Sequence, residues 1–338
     1  MKLNSKYTID EIAEAAGVSK ATVSRVMNGT AVVSEDRRLR VEATIKKLNY
    51  HPNPNARKLA GGVGGSIALV LEESTEEFFM NPFWKSVVEG FIDKASSSQL
   101  HPVLFFHSKD DSDESLVQAL VRGNFDGVAI FGWHRDIKIL EKYIPQNMSV
   151  VFGGNQGSST RFTYVGVDNV TGGEIATDKL IAAGCKQIAT ITGDLTVQSA
   201  RERLDGYKAA LKKAGLAFDK KLVLEGSFTQ ESAESALESA LNKKLEFDGL
   251  FVANDVMAKA ALGVLQEHGI AVPKKVKLIG FDGSEIAKNS SPSIASISQP
   301  SYELGSVVAG NLVKALNREG ISNVSLDLAV VPGESLEA

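Results

Sequence analysis

The segment SKATVSRVMN, residues 19–28, carries side chains of the types that contact DNA. If Val23 and Met27 face inward on a helix, small and basic side chains face outward near its start. An arginine can donate two hydrogen bonds to guanine, a lysine can donate to guanine acceptors, and an alanine can contact a thymine methyl group. Serine and threonine hydroxyls suit phosphates. The predicted DNA contacts in this segment are Ser19, Lys20, Ala21, Thr22, Ser24, Arg25 and Asn28.

Three short helices are predicted to hold this segment. Thr8 and Glu11 form a capping-box pattern that starts the first helix, and Gly17 ends it. Ser19 is expected to cap a second helix over residues 20–27, and a third helix is expected over residues 35–49, with Leu39, Val41, Ile45 and Leu48 completing a small core. Two short helices joined by a glycine turn are typical of a helix-turn-helix, whose second helix enters the major groove.

The distribution of charge favours DNA as the partner of this head. Residues 1–60 carry eleven basic and six acidic side chains, a net charge of +5, whereas the whole chain of 338 residues has a net charge of −4. The remainder is therefore acidic. The alternative interpretation of the predicted DNA contacts is a charged, solvated face on an unrelated helical bundle. The positive net charge of residues 1–60 favours DNA binding over this alternative.

Residues 53–62, NPNARKLAGG, predict a very short helix with an exposed leucine. Asn53 can cap it, Pro54 suits its first position, and Gly61 can end it. Isolated helices of fewer than ~12 residues are marginal in water, so another element must stabilise this one. Leu59 either packs onto its own chain or is covered by a partner. The glycine-rich GGVGG that follows indicates a flexible joint.

The rest of the chain alternates apolar, strand-like runs with amphipathic, helix-like segments. Eight such runs, including SIALVLE, DGVAIFG and VKLIGFD, are typical of parallel strands covered on both faces. Eight exceed one ordinary doubly wound sheet. We therefore expect two similar halves, with the chain passing to the second half near Phe162 and returning near Pro292.

The composition is that of an ordinary globular protein, with 43% hydrophobic and 23% charged residues. No apolar run approaches ~18 residues, and the N-terminus lacks a secretory pattern, so we expect a cytoplasmic protein with no membrane partner, associated with the nucleoid when it binds DNA. The single cysteine, Cys185, is interpreted as a buried structural residue.

The chain resembles the LacI/GalR family of bacterial transcription regulators over nearly its entire length. The shared motifs are TIDEIAEAAGVSKATVSRVMNG, KLNYHPN, ARKLAGG, VDNVTGG, SARERLDGY, VANDVMA and GFDGSEIA. The resemblance implies a helix-turn-helix head at 1–52, a hinge helix and linker at 53–65, and a sugar-binding and dimerisation domain at 66–338. That domain would consist of two doubly wound parallel-sheet subdomains of the periplasmic-binding-protein type, an α/β fold.

In this family the short segment is a hinge helix, which is ordered when two copies pair on operator DNA. Leu59 matches the leucine that enters the minor groove, Ala56 would allow the helices to approach closely, and Asn53 lies at the start of the segment. Apolar wedges of this kind kink DNA at a cost of a few kcal/mol, which further contacts offset. The resemblance therefore implies a homodimer on a near-palindromic double-stranded operator.

The resemblance also implies a small-molecule sugar effector in a cleft between the subdomains. Charged or amide side chains suit paired hydroxyl groups, and an aromatic wall suits the C–H face of a sugar ring. The segment EESTEEFFMNPFW, residues 72–84, looks more like that of oligosaccharide-responsive members, although core packing explains Phe83 and Trp84 equally well. The predicted effector contacts are Asn81, Phe83, Asp168, Arg201, Phe228, Asn254 and Asp282. Without the resemblance, Asp282 could equally be a turn or helix-cap residue, and Arg201 a solvated charge on a helix.

The sequence thus predicts a repressor that a sugar releases from its operator; tighter DNA binding in the presence of the ligand is the opposite possibility. The alternatives from other classes are an enzyme or an exported sugar receptor on the same α/β fold. The sequence contains no GxGxxG after its first strand, no GxxxxGK[ST] phosphate loop and no GxSxG elbow. We therefore expect no enzymatic activity, no cofactor and no metal.

Overall fold

The computed structural model describes residues 7–28, 33–50, 65–107, 111–123, 125–133, 137–154 and 161–337. The chain divides into two compact units, Met1–Gly65 and Ser66–Ala338. The predicted hinge residues Asn53, Ala56 and Leu59 lie outside the described residues. Within the described part, none of the helices is long and apolar enough to cross a membrane.

The described residues of the N-terminal unit form three helices: α1 (Ile9–Ala16), α2 (Lys20–Asn28) and α3 (Glu35–Leu48). The capping box predicted for α1 is present, because Thr8 and Glu11 bond each other's backbone N–H groups, and Gly17 ends the helix at a φ of 64°. The side chain of Ser19 accepts a hydrogen bond from Thr22 N at 3.2 Å.

The core of this unit lies between the three helices. Ile12, Val23 and Val41 are fully buried, while Ile45 and Leu48 are partly buried against them. The prediction that Leu39 belongs to this core is wrong, since 52% of its surface is exposed. Its position follows from helix geometry: Leu39 and Val41 are two residues apart, so only one of them can face the partner helices.

The second unit contains two six-stranded sheets with helices on their faces, which confirms the predicted α/β architecture. The strands are β1 (Ser66–Leu71), β2 (His101–Phe106), β3 (Gly127–Phe131), β4 (Ser149–Gly153), β5 (Thr163–Val167), β6 (Ile188–Ile191), β7 (Val223–Leu224), β8 (Gly249–Val252), β9 (Lys277–Asp282), β10 (Ala295–Ser298), β11 (Val324–Leu326) and β12 (Ala329–Val331). The helices are α4 (Thr75–Met80), α5 (Pro82–Ser97), α6 (Asp113–Arg122), α7 (Ile137–Tyr143), α8 (Asn169–Ala182), α9 (Gln198–Lys213), α10 (Gln230–Asn242), α11 (Asp255–Glu267), α12 (Glu285–Lys288) and α13 (Ser301–Leu316).

The two sheets have the same strand order. The first is β11-β5-β4-β3-β1-β2 and the second is β12-β10-β9-β8-β6-β7. Their pairings are parallel, except that β12 runs antiparallel to β10. In such sheets ligands bind outside the carboxyl ends of the strands. A ligand site is therefore expected next to the ends of β1, β3, β6, β8 and β9.

The chain crosses between the sheets three times, which differs from the expectation of a split near Phe162 and a return near Pro292. The first crossing follows β5, because α8 contacts strands of the second sheet. The second follows β10, because α13 contacts the first sheet, and the third lies between β11 and β12. Four strands were not predicted: β7, β11 and β12 have only two or three residues, and β10, with the sequence ASIS, gives no continuous apolar run.

Candidate functional site

The exposed face of α2 carries the side chains predicted to read DNA. Lys20, Ala21 and Arg25 are exposed, and Ser24 is half-buried, as expected if Val23 faces the core. The hydroxyl groups of Ser19 and Thr22 lie 2.9 Å apart at the start of the helix. Asn28 is the last residue of α2. A helix N-terminus with exposed hydroxyl and cationic groups suits phosphate and base contacts, and these roles remain predictions.

In the second unit, a cavity of about 550 Å³ lies at the carboxyl ends of strands from both sheets. The first sheet contributes residues that follow β1, β3, β4 and β5, and the second contributes residues that follow β6, β8 and β9. The volume falls within the range of about 300–1,000 Å³ that is typical of small-molecule sites.

Arg203 of α9 is the buried cation of this cavity. Its Nε donates to Oδ1 of Asn169 at 3.0 Å, its Nη1 donates to the carbonyl oxygen of Ala253 at 2.6 Å, and its guanidinium lies 3.7 Å from the centre of the Phe281 ring. Burial lowers the pKa of Arg203 to about 10, so it remains protonated at neutral pH. Nη2 donates to no described residue, which leaves two N–H groups for a ligand.

Asp282 ends β9 and lies in the same cavity. Its Oδ1 accepts a hydrogen bond from Nε2 of Gln299 at 2.7 Å. Burial raises the pKa of its carboxyl group above the ordinary value, while the charge of Arg203 acts in the opposite direction. Its φ is 120°, a conformation that costs of order 1–3 kcal/mol and that clusters at functional sites.

A second buried carboxylate lies next to this group. Asp255 accepts hydrogen bonds at 2.7 Å from the hydroxyl of Ser296 and from the backbone N–H of Ser284. Burial raises its pKa as well, and its charge contributes to the rise at Asp282. Asp255 does not line the cavity, whereas Asp282 does, so it is Asp282 that can accept a hydrogen bond from a ligand.

Asn254 fixes the loop that carries the predicted aromatic wall. Its Oδ1 caps α11 by accepting from Met257 N at 2.9 Å, and its Nδ2 donates to the carbonyl oxygen of Phe228 at 3.0 Å. Phe228 has a φ of 67°, and a Cβ atom at Gly193 would lie only 2.1 Å from its ring. The glycine therefore allows the ring to lie against the end of β6, where it lines the cavity.

Aromatic side chains line the opposite wall. Phe83, Trp84, Phe131 and Trp133 all border the cavity, and the rings of Phe83 and Trp84 meet edge to face at 5.0 Å. Asn81 caps α5 by accepting from Phe83 N at 3.0 Å and also borders the cavity. Trp84 and Trp133 are the only two tryptophans of the chain, so intrinsic fluorescence reports on this site.

Arg201 and Asp168 do not border the cavity, contrary to prediction. Arg201 is exposed, and its Nη1 donates to the carbonyl oxygens of Leu195 and Thr196 at 2.8 and 2.6 Å. Asp168 instead caps α8, where its Oδ1 accepts from Thr171 N at 2.9 Å. Residues two apart on a helix face different directions, so Arg201 and Arg203 cannot both face the cavity, and in the structure it is Arg203 that does.

Several polar residues of the cavity lining were not predicted from the sequence, among them Asn169, Gln299 and Arg203. The signal that could have found two of them is proximity to the predicted residues in the motifs VDNVTGG and SARERLDGY. Gln299 follows a strand that was not predicted. Among the described residues, no group of three or more His, Cys, Asp or Glu side chains could hold a metal ion.

Two family models match the chain. Residues 8–53 match "Bacterial regulatory proteins, lacI family", and residues 177–336 match "Periplasmic binding protein-like domain". Among curated relatives, the HTH-type transcriptional regulator CelR of Thermobifida fusca is 34% identical over 330 residues, 97% of each chain. Catabolite control protein A of Streptococcus mutans is 31% identical, again over 97% of each chain.

Solved structures agree with these relatives. The CelR–cellobiose complex has a TM-score of 0.75 and 33% identity, and the match covers 98% of this chain and 100% of that chain. A Lac repressor dimer bound to operator has a TM-score of 0.80 at 24% identity, covering 98% of this chain and 99% of that chain, which shows a shared fold. The chain therefore belongs to the LacI family of DNA-binding bacterial transcription regulators.

Proposed function

We propose that this regulator is a dimeric repressor that an oligosaccharide releases from its operator. The observation that carries this proposal is the cavity between the two sheets, in which Arg203, Asp282 and Asn254 approach aromatic side chains. Guanidinium, carboxylate and amide groups can each bond two neighbouring hydroxyls, and aromatic rings suit the apolar face of a sugar. Carbohydrates present both kinds of surface.

The length of the effector is inferred from the segment between β1 and α5. This segment folds into α4, and its residues Glu76, Glu77, Met80 and Asn81 extend the cavity lining beyond the central polar group. Together with Phe83 and Trp84, they offer contacts for a second sugar ring. The likeness to a regulator solved with cellobiose supports a disaccharide or longer effector.

The two sheets suggest how binding would reach the DNA. A ligand that contacts both Arg203 and the residues after β1 and β3 stabilises a closed arrangement of the two sheets. The DNA-binding head precedes β1, so closure would change the spacing of the two heads in a dimer. A ligand shifts such an equilibrium only by its differential affinity for the two arrangements, and coupling is typically 1–3 kcal/mol.

The hinge residues complete the proposal. Asn53, Ala56 and Leu59 would form a helix that pairs with its copy on the operator, with Leu59 entering the minor groove. Closure of the cleft would disfavour this pairing and lower the affinity for double-stranded operator DNA. The proposed place of action is the cytoplasm, at the nucleoid.

We further propose that the cavity binds its sugar without chemical conversion. Two relatives that match over 97% of this chain, CelR and RegA, are named as HTH-type transcriptional regulators, which supports a binding role. The test is incubation of the purified protein with cello- and malto-oligosaccharides, followed by chromatography of the sugars. Recovery of the unchanged sugars is expected, and accumulation of glucose would contradict the proposal.

The effector is found by titrating the protein with glucose, cellobiose, maltose and their trisaccharides while following tryptophan fluorescence. Saturable quenching or enhancement by an oligosaccharide is expected, because both tryptophans border the cavity. An operator selected from a randomised duplex library then serves in a fluorescence anisotropy assay with and without that sugar. Weaker DNA binding with the sugar is expected; unchanged binding with every saturating sugar would refute induction, and tighter binding would reverse its sign.

A further inference from the structure

Lys20, the first residue of α2, forms an ion pair on the predicted DNA-binding surface. Its Nζ lies 3.0 Å from Oδ2 of Asp10 in the first turn of α1, within hydrogen-bond distance. Both side chains are largely exposed, at 60% for Lys20 and 66% for Asp10. An acidic group therefore lies beside a cation that is expected to meet a polyanion.

Stability does not account for this ion pair. Exposed ion pairs contribute little to stability, and many contribute nothing measurable. The N-terminus of α1 is already capped by Thr8 and Glu11 through the capping box. Asp10 adds at most a small interaction with the helix dipole, which a second acidic residue in the same turn, Glu11, also provides.

The pair does change what Lys20 can contact. A phosphate group brought to Lys20 also comes close to the carboxylate of Asp10, which repels it, whereas a base edge carries no net charge. A lysine has three N–H donors, so Lys20 can keep its bond to Asp10 and still donate to guanine O6 or N7. The carboxylate can in turn accept from the N4 amino group of a cytosine.

We propose that Asp10 is a specificity-determining residue of the head: by holding Lys20, it withholds this cation from phosphates and directs it to base edges. Arg25 provides the contrast on the same helix, because it forms no ion pair with any described residue. Helix α2 therefore combines Arg25, which no described carboxylate restrains, with Lys20, which Asp10 restrains. Asp10 acts through Lys20, so it is a positioning residue for DNA recognition.

The test is the substitution Asp10→Asn in the full-length dimer, with binding to a mixed-sequence 40-base-pair duplex measured by anisotropy from 50 to 200 mM salt. Each Lys20 that gains a phosphate contact steepens the salt dependence by ~0.9, hence ~1.8 for two heads. Asp10→Asn should therefore lose about twelvefold more affinity over this fourfold salt range than the original protein does. Its binding at 50 mM should be tighter.

A second measurement uses an operator selected from a randomised library with the original protein. The ratio of operator affinity to mixed-sequence affinity should fall in Asp10→Asn and should be retained in Asp10→Glu. If Asp10→Asn melts the head, as judged by circular dichroism, Asp10→Ser replaces it, because serine is also neutral and tolerated in a first turn.

The matched control is Asp36→Asn in α3, where Asp36 pairs with Arg40 at 3.1 Å in a similarly exposed position. It changes the net charge equally but leaves Lys20 untouched. The proposal is overturned if Asp36→Asn raises mixed-sequence affinity and salt dependence as much as Asp10→Asn does. It is also overturned if Asp10→Asn has its full effect in a Lys20→Ala background, since Asp10 would then act without Lys20.

Discussion

Exchanging Arg203 for lysine tests whether this residue, and not Arg201, binds the effector. Lysine keeps the positive charge next to Asp282 but cannot form the forked contacts to Asn169 Oδ1 and Ala253 O, which are 3.0 and 2.6 Å long. At least one charge-assisted hydrogen bond is lost, and such bonds contribute about 1.5–3 kcal/mol. The flat contact with the Phe281 ring at 3.7 Å is weakened as well.

The expected effects follow from these losses. The free energy of unfolding should fall by about 2 kcal/mol, which lowers the Tm by about 4–8 °C for a domain of this size. If a free N–H of Nη2 binds a sugar hydroxyl, the Kd for the effector should rise about 10- to 150-fold. Binding is measured by calorimetry at 15 °C, well below the lowered Tm, so that a loss of affinity is not a loss of fold.

Arg201→Lys is the matched control, because it is the same exchange two residues away on the same helix. Arg201 is exposed and contacts only backbone carbonyls outside the cavity, so its unfolding free energy should stay within about 0.5 kcal/mol and the Kd should not change. If Arg201→Lys weakened sugar binding while Arg203→Lys bound normally, the assignment of the cavity cation would be refuted.

The remaining predictions concern other parts of the molecule. Effector affinity, measured by calorimetry, should fall as the pH decreases from 8 to 5.5. Burial raises the pKa of Asp282, and protonation of its carboxylate in this range removes a hydrogen-bond acceptor for the effector. Asp282→Asn should bind the effector weakly and without this pH dependence. Because the pKa of Asp282 is raised in the folded state, the folded state binds more protons than the unfolded state at pH values between the ordinary and the raised pKa. The contribution of Asp282 to stability should therefore increase as the pH falls through this window. Thermal melts of Asp282→Asn beside the original protein measure that contribution, and a decrease would contradict the sign. Gly173→Ala should lower the free energy of unfolding, measured by chemical denaturation, by about 1–3 kcal/mol, because the added Cβ would lie 2.2 Å from the carbonyl oxygen of Arg203. It should also weaken sugar binding, because relief of this clash moves α9. Normal sugar affinity together with lower stability would separate the two effects. Leu59→Ala should weaken operator binding and reduce the DNA bend in a circular-permutation gel without changing sugar affinity, and an unaltered bend would rule out the wedge role.

Several features of the molecule could be predicted from local sequence because local physics fixes them. The capping box of Thr8 and Glu11 and the turn at Gly17 involve residues within a few positions of each other, and both are present. The eight predicted strands correspond to strands of the two sheets, since continuous apolar runs are required wherever both faces of a sheet are covered. Asn254 and Asp282 both lie in the cavity lining, at the carboxyl ends of strands, where ligand sites of such sheets occur; their contact with an effector stays a prediction.

Other features depend on contacts between distant parts of the chain. The rotational position of α9 is determined by the close contact between Gly173 and the backbone of Arg203, not by the sequence of α9 itself. For this reason the sequence did not distinguish Arg203 from Arg201. Gln299 enters the site because β10 pairs with β9, and β10, whose sequence ASIS gives no continuous apolar run, is not recognisable without its neighbour. The three crossings likewise depend on which sheet each helix covers. Sequence therefore determined which elements form and which residue types they carry, whereas tertiary structure decided which side chains face the cavity, because a helix or strand can be rotated or paired differently without changing its local pattern.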